Sequence, residues 1–148
     1  ERVREVVDEI LRGHPLSFLI IYAAFIINGV AQSAALLALK RGLEPELAAI
    51  AGMLHDISTH QTGDSTEHGL RSSEIAHGIL ASLGCFGKEQ RELICEAIAR
   101  HRLKDETHGP YDELLKDADV LQHFLYAPWL GRIEKENPRL VSFKNELG

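Results

Sequence analysis

The chain reads as an all-α protein, a single compact helical domain. Apolar residues recur at helical spacing in segment after segment, prolines and glycines fall at the ends of those segments, and no two alternating strand patterns are joined by hairpin residues. In chain order, Val3, Val6, Val7, Ile10 and Leu11 make a first helical face, closed by Gly13 and Pro15. A long apolar stretch follows. From Leu16 to Leu39 there is no Asp, Glu, Lys or Arg, and a helix of that length, at about 1.5 Å per residue, is long enough to span a bilayer. Asn28-Gly29 in its middle, Gln32 and Ser33 one turn on, and the small residues Ala31, Ala34, Ala35 and Ala38 favour instead a buried core helix, with Gly29 as the place where it would break. A signal peptide is disfavoured, because the acidic amphipathic stretch Glu1 to Arg12 stands where a short basic region is wanted.

Pro45 suits the first turn of a helix whose face Leu47, Ile50, Ala51 and Leu54 leads to His55. Residues 57 to 66 are polar and turn-rich and read as a loop. Ile75, Ala76, Ile79, Leu80 and Leu83 mark the next helix, stopped by Gly84; Lys88 to Arg100 and Pro110 to Tyr126 give two more, and Asn137-Pro138 sets off a short C-terminal segment.

With 148 residues, the length fits one domain, 1–148, able to bury its own core. A net charge of -6 speaks against a nucleic-acid polymer or an anionic membrane as partner, while leaving room for a small anionic ligand beside a local basic cluster. Cys85 and Cys95, ten positions apart and outside any Cys-x-x-Cys motif, suit reduced thiols in a cytoplasmic protein.

The chemistry concentrates at His55-Asp56. An imidazole and a carboxylate side by side, answered by a carboxylate in Lys116-Asp117-Ala118-Asp119, can close around a divalent cation without any cysteine. Asp117 and Asp119 lie two residues apart and so face opposite ways on a helix; without the upstream pair they would read as a solvated acidic face. His101 continues the stripe Leu93, Ile94, Ala97, Ile98, and His68 precedes Ser72, Ile75 and Ile79 by one helical phase. Either ring alone reads as a core histidine satisfied by a hydrogen bond. Both project towards one interior, which makes them candidate ligands, whereas His14, His77 and His123 read as surface or helix-end residues and His60 and His108 as loop residues at a pocket rim.

The stretch from Leu47 to Ile57, with its Leu54-His55-Asp56-Ile57, resembles the signature helix of the HD-domain superfamily of metal-dependent phosphohydrolases. Ala118-Asp119-Val120-Leu121 resembles that superfamily's distal element, and Ala97-Ile98-Ala99-Arg100-His101 is similar to the helix that supplies an additional histidine. The likeness spans residues 30 to 125 and implies an HD-type helix bundle, with Asp119 rather than Asp117 as the second carboxylate. With His68 added from its place on an apolar stripe, the candidate metal site is His55, Asp56, Asp119, His68 and His101, a mixed set of nitrogens and oxygens suited to one or two ions of manganese, iron, cobalt, nickel, zinc or, less well, magnesium. Asp56 then has the catalytic role of orienting a water, His68 and His101 are suited to a second ion, and Arg71, Arg102 and Lys104 are placed to bind the phosphate of a small phosphorylated molecule. One feature departs from the pattern. The superfamily's upstream histidine falls here on Ile26, Ile27 or Asn28, so the alternative is a degenerate domain that binds a metal or a nucleotide without turnover.

Overall fold

A computed structural model describes residues 1–13, 17–126 and 137–148. Among these residues the chain forms eight helices and no strand: α1 (Arg2–Arg12), α2 (Ser17–Arg41), α3 (Pro45–Leu54), α4 (Ile57–Thr62), α5 (His68–Leu83), α6 (Lys88–Arg100), α7 (Pro110–Tyr126) and α8 (Asn137–Leu147). His14, the expected stop at Pro15 and the first residue of the uncharged run, Leu16, lie outside the described residues.

The centre of the molecule is α3. Leu47, Ala48, Ile50, Ala51, Gly52, Met53 and Leu54 are all buried, because α3 is covered by α2, α6 and α7 on different sides. Its approach to α2 depends on Gly52: a Cβ there would stand 2.7 Å from the Ala31 Cα, so any other residue would force the two helices apart. α5 and α6 form a second antiparallel pair, in which Ala76 and Leu80 meet Ile94, Ala97 and Ile98 in one apolar cluster with Leu114, Leu115 and Ala118 of α7. α1 lays Val3, Val7 and Leu11 on this cluster, and α8 adds Phe143.

The structure corrects three sequence expectations. α2 runs unbroken through Gly29, because that glycine serves packing rather than a bend: the amide of Gln122 from α7 lies where a side chain would project. Nor is α2 buried all round. Ile26, Ile27, Val30, Ala31, Ala34, Leu37 and Ala38 face the core, while Phe25, Leu36 and Leu39 are 56%, 68% and 66% exposed. Among the described residues no helix is long and apolar enough to cross a membrane. Third, residues 57 to 62 form the short helix α4 rather than a loop; Ile57 and Ser58 are buried, the Ser58 N–H donates to Ser72 Oγ at 3.2 Å, and Gly63 ends the helix with φ 72°. A polar composition concealed one turn whose inner face is tied to α5.

Candidate metal centre

α3 stops at Leu54, and α4 begins at Ile57. In an unbroken helix, neighbouring side chains diverge by about 100° and His55 and Asp56 would point apart. Here Asp56 leaves the helical region (φ -114°, ψ 17°), and its carboxylate turns back until Oδ2 stands 3.4 Å from His55 Nε2. The helix break is what makes the dipeptide a site.

Three imidazoles are anchored in the same way. His55 Nδ1 lies 2.8 Å from Gly52 O, His68 Nδ1 2.8 Å from Ser65 O, and His101 Nδ1 2.7 Å from Ile98 O, each carbonyl three residues back. A carbonyl only accepts, so each Nδ1 carries the proton and each neutral ring presents Nε2 as a bare lone pair. His68 Nε2 lies 3.0 Å from Asp56 Oδ1 and His101 Nε2 3.5 Å from the same oxygen, while the two Nε2 atoms are 3.2 Å apart. Asp56, His68 and His101 thus offer three ligand atoms within 4.8 Å of one another. His55 Nε2 and Asp56 Oδ1 are buried without a hydrogen-bond donor. Acceptors gathered face to face repel unless a cation, proton or metal, stands among them. Mixed imidazole and carboxylate donors fit a divalent ion of intermediate hardness, and the backbone anchors are the outer contacts that orient ligating histidines. Glu67, immediately before His68, is held at φ 48°, the one non-glycine residue with positive φ among those described; that strain lies at the step that swings His68 into the centre.

The electrostatics match the geometry. Burial alone would push the Asp56 carboxyl up, but the charge of His55 and the bonds that His101 and His68 donate, once these rings take up a proton at Nε2, outweigh it and hold the group ionised far below the usual carboxylate range. The bond to Asp56 raises His68 above its ordinary value, against a smaller effect of burial. His101 moves the other way, lowered chiefly by burial although Asp56 opposes this. Asp119 is held low despite burial by the charges of Lys104 and His123.

Of the residues singled out in the sequence, His55, Asp56, His68, His101 and Asp119 converge: His55 Nε2 also stands 3.7 Å from Asp119 Oδ1. Asp117 faces away, on Arg41 and Arg139 at 2.7 and 3.1 Å. Lys104 reaches the centre through a 2.6 Å ion pair with Asp119 Oδ2. Arg102, exposed beside His68, bonds Ser65 O at 3.4 Å, whereas Arg71 is held at 2.7 Å by Asp64 on the rim. Among the upstream candidates, Ile26 and Ile27 are buried in the core, and Asn28 is engaged elsewhere, accepting from Arg4 Nη1 at 2.6 Å and donating to Ala24 O at 2.7 Å.

His108 holds the buried Lys116 ammonium at 2.8 Å, and His60 lies on α4 rather than in a loop. His123 is the residue missed by the sequence reading, with Nε2 3.4 Å from Asp119 Oδ1. It stands four residues after Asp119 on α7, a same-face spacing that is a sufficient signal once Asp119 is placed.

A family model for the HD domain matches residues 28–123, well over half of the chain. No curated protein and no solved structure matches. The match starts at Asn28, encloses His55, Asp56, His68, His101 and Asp119, and agrees with the all-helical architecture, so the chain belongs to the HD-domain family.

Proposed function

We propose that this chain is a cytoplasmic, single-domain, metal-dependent phosphohydrolase acting on a small phosphate ester or nucleotide, with His55, Asp56, His68, His101 and Asp119 as its metal centre. The observation that carries the reading is the set of three rings whose Nδ1 atoms are tied to backbone carbonyls and whose Nε2 atoms converge around Asp56. A divalent ion bound there supplies Lewis acidity, activating a water and neutralising charge on a phosphoryl oxygen. The chain's own groups do the rest. Asp56, already ionised and lacking a donor at Oδ1, holds the ion and orients the attacking water. Lys104 and Arg102 meet the phosphate, and Arg71 braces the Asp64–Ser65 rim.

The test is phosphate release from a panel of phosphorylated small molecules, with manganese and then with chelator. Metal-dependent release should fall about 100-fold or more in Asp56→Asn, which removes the carboxylate that holds the ion and positions the water. Asn28, engaged by Arg4, favours a second reading: a non-catalytic domain that binds metal or nucleotide. Saturable nucleotide binding with no phosphate released across the panel would select it.

A further inference from the structure

Resting on the metal-centre reading above, we propose that the centre holds one divalent ion, on Asp56, His68 and His101, and that the Lys104 ammonium is a built-in second cation held by Asp119. Ligand atoms grouped within 4.8 Å come from Asp56, His68 and His101; neither His55 nor Asp119 joins that group. The other half of the centre already contains a positive charge. Lys104 Nζ lies 2.6 Å from Asp119 Oδ2 and 3.5 Å from the Lys116 carbonyl, and the Lys104 and Asp119 side chains are only 11% and 8% exposed. A second ion on Asp119 would have to displace this ammonium or settle beside it, and like charges at such a distance repel strongly where water is excluded.

The upstream register adds no imidazole. It offers Ile26 and Ile27, both in the core, and Asn28, whose amide is committed to Arg4 and Ala24. An ammonium fixed on Asp119 neutralises that carboxylate and places a cation where a phosphoryl oxygen can reach it, without a second metal.

The experiment titrates Mn2+ into the chelator-stripped full chain, counting bound ions by elemental analysis and recording electron paramagnetic resonance. The wild type should bind one ion per chain, with the hyperfine-resolved spectrum of an isolated Mn2+. Lys104→Met frees Asp119 Oδ2 beside His55 and Asp56 and should take up a second, more weakly held Mn2+ at saturating concentration, with an exchange-coupled pair; Lys104→Arg, which keeps the charge, should bind one. Asp119→Asn bears on the question even if Lys104→Met fails to fold. It should leave Mn2+ affinity within about threefold of wild type, whereas His68→Ala should lose at least about a hundredfold, more than loss of an outer-shell contact. Two ions in the wild type, a folded Lys104→Met that still binds one, or release of the ion by Asp119→Asn would each overturn the proposal while leaving a metal centre in place. No ion in any variant would overturn the metal-centre reading and this proposal with it.

Discussion

Asp56 and Asp119 are both carboxylates of one centre, yet their surroundings give them different work. Among the described residues Asp56 is paired with imidazoles, whose charge is optional, while Asp119 is paired with the Lys104 ammonium and with His123. An ion can displace protons from imidazoles, but it cannot displace an ammonium without moving a side chain. The comparison teaches that membership of a cluster does not make a carboxylate a ligand; the exchangeability of its existing partners decides.

The largest expected effect is on the imidazole side. With Mn2+ at about 100 times its dissociation constant, the wild type should gain about 2.7 kcal/mol, or roughly 5–10 °C in melting temperature. Asp56→Ala should abolish that gain, read by thermal melting with and without Mn2+. A gain that survives Asp56→Ala but vanishes in Asp119→Asn would reverse the two roles.

Proton competition sharpens the contrast. In the metal-free protein His68 is raised above 6.5 by Asp56, so its stabilising contribution is present at low pH and is lost as pH rises through its folded value. His101 is lowered below 6.5 by burial, so its contribution is present above that value and is lost as pH falls through its folded value. A ligand must be neutral, and His68 holds its proton more tightly. Mn2+ affinity should therefore begin to fall, by about tenfold per pH unit, at a pH above the ordinary histidine value of about 6.5. Calorimetric titration from about pH 8 to about pH 5.5 checks this, and a flat profile would remove His68 from the ligand set.

The smallest effect is expected on the outer face of α7. Asp117→Ala leaves Arg41 with Glu146 and Arg139 with Glu113, so it should cost about 1 kcal/mol in urea unfolding and leave Mn2+ binding unchanged. Loss of Mn2+ in this variant would mean that the two faces of α7 are coupled.

Most of the architecture was legible because helical periodicity and end signals are local: Val3, Val7 and Leu11 do face the core, and Gly84 does end α5. The continuity of α2 through Gly29 was not, since it depends on Gln122 of α7, a residue more than 90 positions later. α4 was hidden for a similar reason, its stability resting on buried Ile57 and on Ser72. In the centre, His68 and His101 could be picked out as polar rings on apolar stripes. The Lys104–Asp119 pair could not, because a lysine after a helix end has the same sequence signature whether it points to water or to a carboxylate.

The three anchoring bonds to the carbonyl three residues back have a consequence for inheritance and for engineering. Gly52–His55, Ser65–His68 and Ile98–His101 each contain both the ring and the group that sets its proton, within four consecutive residues. Two of the rings cap the C-terminal ends of their helices, α3 and α6, and the third opens α5. Which nitrogen is free is therefore written locally, before any distant contact forms. Insertions or deletions elsewhere in these helices can carry a correctly prepared ring to a new place, and the same short segments can be transplanted onto other helix ends as ready-made imidazole donors.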